Sequence, residues 1–247
     1  MTARFTGKVA LVTGGGSGTG RATALAFARE GATVVVAGRE PRDLTDTVTL
    51  IEKEGGEADA VMADVTHALD VIRLVKSTVE RHGGLHIAFN NACWVPHPHM
   101  IVETCEAVWG EVLSTNLTGV WLLMKHEIAH MREHGGGVIV NHSTNVSVNG
   151  RRLGFGAYAS TKAALSALTK AAAQEHIGDG IRINSISPGD VEATNGRAEW
   201  EEHVKTSAPA GRVARTEEIA DTVTWLAGPE SKFVVGHDLV LDGGVTL

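Results

Sequence analysis

Tyr158, the only tyrosine among 247 residues, is followed four positions later by Lys162. Both fall in a run from Ala157 to His176 whose wealth of Ala, Leu, Lys and Gln predicts a helix. Residues four apart share a helix face, so the phenol and the ammonium can point to one place. A cation beside a phenol stabilises the phenolate and lowers its pKa. The hydroxyl would then exchange protons near neutral pH. A packed tyrosine with a lysine reaching to water has the same spacing. The pair alone decides nothing.

A second stretch supplies a partner for such chemistry. The β-branched run Val9–Thr13 leads into Gly14-Gly15-Gly16-Ser17-Gly18-Thr19-Gly20 and then at once into a helical segment from Arg21. Glycines permit a tight turn and let backbone approach a pyrophosphate, whose charge lies at a helix amino terminus. A flexible connector is also glycine-rich, but placement between strand and helix is the context a dinucleotide turn requires. The second strand ends Val36-Ala37-Gly38-Arg39, with no carboxylate before Glu40. A cofactor lacking the 2′-phosphate is usually held here by an acidic side chain, whereas a guanidinium suits phosphate by charge and paired donors. NADP(H) is therefore expected in preference to NAD(H); Arg39 stacked on the adenine or lying in solvent is the other reading.

These groups need elements to position them. Strands are expected at Val9–Thr13, Thr33–Ala37, Ala58–Met62, His86–Asn90, Gly137–Asn141, Ile181–Ile186 and Asp238–Leu241. Helices are expected between them at Thr19–Glu30, Pro41–Glu54, Ala68–His82, Trp109–Glu133, Ala157–His176 and Glu217–Leu226. Alternation of short apolar strands with helices predicts an α/β fold, a doubly wound parallel sheet with helices on both faces. No linker or repeat divides the chain, so one domain over residues 1–247 is expected.

Composition narrows the function classes. Hydrophobic residues make up 43% of the chain, which suits a globular protein with a sizeable core. The formal charge of −7 is spread without a basic stripe, which argues against nucleic acid as a partner. No apolar run approaches the ~20 residues that span a bilayer, and after Lys8 the apolar segment stops at Thr13, unlike a signal peptide. Cys93 and Cys105 suggest neither a disulfide framework nor a zinc site. A reducing, cytoplasmic location is expected. His97 and His99 sit in a Pro-His-Pro-His loop that reads as pocket rim or solvated surface, and no metal site is expected.

Taken in order, these stretches resemble the short-chain dehydrogenase/reductase family over nearly the whole chain. Thr13–Gly20 resembles its cofactor loop, with Gly14, Gly18 and Gly20 at the three glycine positions and Ser17 and Thr19 in the same turn. Ala63-Asp64-Val65 resembles the segment that caps the adenine, and Asn90-Asn91-Ala92 the turn beneath the cofactor. Asn116 sits at the position of the family's catalytic asparagine. Tyr158 and Lys162 match its Tyr-x-x-x-Lys pair, and Ser187-Pro188-Gly189 the loop flanking the nicotinamide. Val191 matches the apolar position whose backbone meets the carboxamide. Phe233–Gly236 and Val240–Gly244 resemble its carboxyl-terminal signature.

Three departures stand out. The family's catalytic serine has no identical counterpart. Strand alignment puts Thr144 in its place, with Ser143 as the rival, because neighbours along an extended segment point opposite ways. Cys93 replaces the glycine that ends the Asn-Asn-Ala-Gly turn, and is read as packing. Ala193 stands where the family often has threonine, with Thr194 following.

The resemblance implies hydride transfer between a nicotinamide and a carbonyl or alcohol carbon. Tyr158 would exchange the proton, and Thr144 or Ser143 would hydrogen-bond the same oxygen. Lys162 would lower the phenol's pKa and hold the ribose, and Asn116 would position a water leading from Lys162 to solvent. The substrate loops are Trp94–His99, Asn145–Phe155 and Asp190–Lys205. In them Trp94, Phe155 and Trp200 offer apolar surface, and Arg151 and Arg152 could meet an anion. A small or cyclic ketone or alcohol is the expected substrate. A 3-oxoacyl carrier-protein reductase and a noncatalytic cofactor-sensing protein are the alternatives. Family members usually form tetramers through the two long helices and the carboxyl-terminal strand, so a homotetramer is expected.

Overall fold

β1 (Val9–Thr13) is buried along its whole length, as a strand covered on both faces must be. In the computed structural model, which describes residues 3–149, 152–192 and 208–247, it lies within a seven-stranded parallel sheet. The other strands are β2 (Thr33–Gly38), β3 (Glu57–Met62), β4 (Ile87–Asn90), β5 (Gly137–His142), β6 (Ile181–Pro188) and β7 (Asp238–Leu241). Their order is β3-β2-β1-β4-β5-β6-β7. The chain moves outward from β1 through β2 to β3, then returns to place β4 on the other side of β1. Val12 thus lies opposite Val36 on one side and Phe89 on the other. A sheet that reverses its winding this way opens a crevice beyond the carboxyl ends of β1 and β4, where ligands bind in such folds.

Alternation along β1 feeds two cores. Val9 and Leu11 join the layer containing Leu74, Leu123 and Leu165, contributed by α3 (Ala68–His82), α5 (Gly119–Glu133) and α7 (Gly156–His176). Ala10 and Val12 join the opposite layer with Phe27, Leu44 and Leu226, contributed by α1 (Gly18–Arg29), α2 (Pro41–Lys53) and α8 (Thr216–Ala227). The doubly wound α/β expectation holds, with strand and helix ends mostly within two residues of those expected.

Two differences matter. The helix expected from Trp109 begins earlier, as α4 (Glu106–Leu113), and passes through a π turn at Ser114–Thr118 before continuing as α5. Periodicity cannot reveal a single extra residue in a helical ladder; a tertiary contact of Asn116, described below, accompanies it. Between β5 and α7 a one-turn helix, α6 (Val146–Asn149), occupies what reads as loop. No helix of the described residues is long and apolar enough to cross a membrane.

Candidate active site

The glycine turn closes by backbone contact. Gly14 has φ 64°, and a Cβ there would lie 2.8 Å from the side-chain nitrogen Nδ2 of Asn91; one on Gly20 would lie 2.1 Å from the Gly14 carbonyl oxygen. A side chain at either position would collide with the turn's own atoms, so glycine is what lets it close this tightly. Ser17 caps α1 with extended backbone and no side-chain cap bond, and the first turn holds no acidic residue. A helix amino terminus without acidic residues is the kind of end at which anions bind. Arg21 fastens the turn from behind, bonding the Gly16 carbonyl and donating to Thr47 Oγ1 at 3.0 Å. Nothing in the motif points to that clamp.

From this turn a cleft runs between Arg39, Asp64 and Val65 to Ala92 and Cys93. Arg39 is exposed at its outer end. The Asp64 carboxylate accepts from the Thr66 amide at 2.9 Å and the Thr66 hydroxyl at 2.7 Å. Burial pushes its pKa up, but these bonds, with the nearby charges of His67 and Arg39, outweigh that and hold it below the usual carboxylate range.

The floor is built at the ends of β1, β4 and β5. Thr13 Oγ1 accepts from the amides of both Asn91 and Ala92 at 3.1 Å. Asn91 in turn donates to the carbonyls of Thr13 at 3.1 Å and Gly14 at 3.3 Å. With its amide group donating there, the Asn91 oxygen accepts from His142 Nδ1 at 2.7 Å. That contact sets the tautomer, because the Asn91 oxygen has no proton to give. Burial, aided by the Lys162 charge, lowers the His142 pKa to about 3, so its ring is neutral at physiological pH. Sequence alone gives His142 no role and Thr13 only a place in the glycine turn, because each acts through residues remote in the chain.

Tyr158 and Lys162 stand one turn apart on α7, as their spacing predicts. Lys162 is 1% exposed. Its ammonium donates to the His142 carbonyl and lies 5.8 Å from the centre of the Tyr158 ring. The expected lowering of the phenol's pKa is not found. Burial pushes it up and Cys93 adds to the rise, while Thr144 and Arg152 only partly oppose them. The lysine is directed at a carbonyl rather than at the phenol oxygen.

The two candidate hydroxyls are separated by strand alternation. Thr144 bears on the Tyr158 hydroxyl, where it favours ionisation of the phenol. Ser143 is turned beneath α7, where its oxygen lies 3.3 Å from both the Lys162 carbonyl and Ser166 Oγ and 3.4 Å from Ser147 Oγ. Cys93, expected as packing, is exposed and places its sulfur 3.8 Å from the Tyr158 hydroxyl.

Asn116 lies in the π turn and is fully buried. Its side chain accepts from the Trp94 amide and donates to the Trp94 carbonyl, both at 2.8 Å. The side chain therefore fixes the loop after β4. Pro188 ends β6 opposite Leu241, and the Gly189 amide donates to the Leu241 carbonyl at 2.8 Å. Val191 bridges to Ala214 through the Asp190 carbonyl and the Glu192 amide, a pattern that leaves Val191's own amide out of the bridge. Arg152 pairs with Asp190 at 3.1 Å and covers the Phe155 ring at 4.6 Å. Phe155 meets Tyr158 edge to face. Arg151, Ala193, Thr194, Trp200 and Lys205 lie outside the described residues. Among the described residues no three His, Cys, Asp or Glu side chains group to hold a metal.

Residues 14–246 match the family model described as enoyl-(acyl carrier protein) reductase. The chain is 36% identical over 247 residues to cyclohexanol dehydrogenase of an Acinetobacter species, covering 100% of this chain and 98% of that protein. It is 35% identical over 249 residues to cis-4-hydroxycyclohexanecarboxylate dehydrogenase of Sinomonas cyclohexanicum, covering 100% and 99%. A mutant Serratia marcescens short-chain dehydrogenase/reductase superposes with TM-score 0.94 at 30% identity, over 99% of this chain and 100% of that one. The chain belongs to the short-chain dehydrogenase/reductase family. It is an oxidoreductase acting on CH–OH groups, in a family that uses NAD(P).

Proposed function

We propose that the protein interconverts a secondary alcohol and a ketone on a small cyclic molecule, using NADP(H) in preference to NAD(H). The observation that carries this reading is the continuity of the cleft with the phenol. Cys93 lines the same cleft as Gly14 and Arg39, and its sulfur touches the Tyr158 hydroxyl. The glycine turn fits the cofactor: its two closest approaches admit no Cβ, and the helix end above it carries no acidic residue.

When bound, the nicotinamide gives or receives the hydride. The chain's own residues handle the proton and the geometry. Tyr158 donates its proton to the oxygen of a ketone as that oxygen gains charge, or takes it from an alcohol. Thr144 donates a hydrogen bond to the same oxygen, where it is worth most as charge develops. Ser143 supports α7 and stands aside. Lys162 holds the ribose hydroxyls and, by its charge, helps the phenolate form once it leaves the His142 carbonyl. Asn116 fixes the Trp94 loop and offers backbone for a water leading from Lys162 to solvent. Gly14, Ser17, Gly18, Thr19 and Gly20 hold the pyrophosphate, Asp64 and Val65 the adenine, Asn91 and Ala92 the floor, and Pro188, Gly189 and Val191 the carboxamide side.

Arg39, exposed at the end of the cleft where a 2′-phosphate would lie, supports NADP(H). The Phe155 edge on Tyr158 supports a ring-shaped substrate, as do the substrates named for the two relatives. Arg152 already answers Asp190, which favours a neutral ring over an anionic one. One domain carries cofactor and catalysis. It assembles as a tetramer through α4, α5 and α7, where Trp109 and Trp121 are each 45% exposed; sedimentation tests this. The test of function is a panel of cyclic alcohols and ketones with both cofactors. Turnover of cyclic secondary alcohols is expected; turnover of none, with other substrates accepted, overturns the substrate class.

A further inference from the structure

Beneath the site lies a buried carboxyl that the reaction does not use. Glu127 on α5 is 0% exposed. Its Oε2 accepts from Asn90 Nδ2 at 3.0 Å, and the same nitrogen donates to Asn141 Oδ1 at 3.0 Å. Asn141 passes the row on to Thr169 on α7 at 2.9 Å. Asn90 and Asn141 are register partners at the ends of β4 and β5. The residues that follow them in the chain are Asn91 and His142.

Two acceptors in this row have no donor: Glu127 Oε1 and Asn90 Oδ1, both buried. Two buried oxygens without donors on one contacting acid–amide pair are costly. One proton on the carboxyl satisfies both. We infer that Glu127 is a neutral acid that donates from Oε1 to Asn90 Oδ1, and that this acid–amide pair is a positioning unit for the Asn91–His142 floor of the cofactor site. A carboxylate would leave the Asn90 oxygen bare and bury an unpaired charge. Burial holds the Glu127 pKa up at about 8, in keeping with this.

No neighbouring charge replaces the proton. Lys162 of α7 is taken by the His142 carbonyl, and Arg182 of β6 by carbonyls at the end of α8. On α3, Arg81 and His82 face Asp59. On α5 itself, His130 accepts from the Leu85 amide, and Lys125 is exposed against Trp121. On β5, His142 is turned to Asn91. None of these charges acts on the Glu127 carboxyl.

Above the titration of Glu127 the row loses its proton and the floor loosens. The role in cofactor affinity rests on the cofactor reading of the glycine turn; the protonation does not, so two measurements separate them. Infrared difference spectra of the wild-type protein between pH 6.5 and pH 9.5 should show loss of a protonated carboxyl C=O band. Absence of that band at pH 6.5 overturns the inference, whatever the cofactor does. NADPH affinity of the wild type should weaken severalfold over that range. Glu127→Gln can both donate and accept as the neutral acid does, so its affinity should match wild type at pH 6.5 and fall less at pH 9.5. Parallel pH profiles for the two proteins overturn the positioning role. No NADPH binding by either protein, with the band present, faults the cofactor reading instead.

Discussion

The sulfur of Cys93 lies 3.8 Å from the hydroxyl of Tyr158, at the position where the family's turn ends in glycine. Two acids this close do not ionise independently, since the first anion opposes the second. Cys93 accordingly adds to the rise in the phenol's pKa that burial begins. Cys93→Gly should move the pH–rate profile for alcohol oxidation to lower pH. The test is kcat against pH with saturating cofactor. An unmoved profile would show that the contact carries no energy.

Tyr158→Phe keeps the ring and removes only the oxygen. Turnover should fall by about 10³-fold, within the range attributed to general acid–base groups. Cofactor affinity, measured by calorimetry, should stay near wild type. Undiminished turnover would sink the assignment.

The two hydroxyls of β5's extension should separate cleanly. Thr144→Ala should cost about 10²-fold in kcat, as removal of one donor to a charged transition state does. Ser143→Ala should cost little in kcat and about 1 kcal/mol in stability, from lost buried bonds. The reverse pattern in steady-state kinetics would give the role to Ser143.

Arg39→Ala removes the one cation that lines the cleft among the described residues. NADPH affinity should fall about 10- to 100-fold, the value of a charge-assisted bond, with NADH affinity changed little. Equal losses for the two cofactors would point to stacking on the adenine, which both share.

Glu127 also sets a stability window. Its folded pKa of about 8 lies above the ordinary 4.5, so the native state binds the proton more tightly than the unfolded chain. Its contribution is then fully present below pH 4.5, declines as pH rises, and is gone above pH 8. Glu127→Gln should therefore gain in melting temperature over wild type as pH rises from 5 to 9. A difference that does not change with pH would refute the linkage.

The order of strands and helices, the glycine turn and the α7 pair were legible in the sequence because each rests on local physics. Apolar runs of strand length, glycines between strand and helix, and a four-residue spacing mean the same thing wherever they occur. Residue type singled out Arg39, and resemblance singled out Asp64, Asn116 and the Pro188–Gly189 loop. What the sequence could not decide were relations across the fold. Thr144 and Ser143 are one residue apart, and only the register of β5 under α7 turns one to Tyr158 and the other to Ser166. Cys93 reads as packing until β4 and α7 bring it to the phenol. Lys162 reads as facing the phenol, and only the fold shows that its ammonium rests on the His142 carbonyl. Glu127 gives no signal at all, since a charged residue at helical spacing normally faces water. Burial across four elements makes it an acid, and burial is a property of the tertiary structure alone.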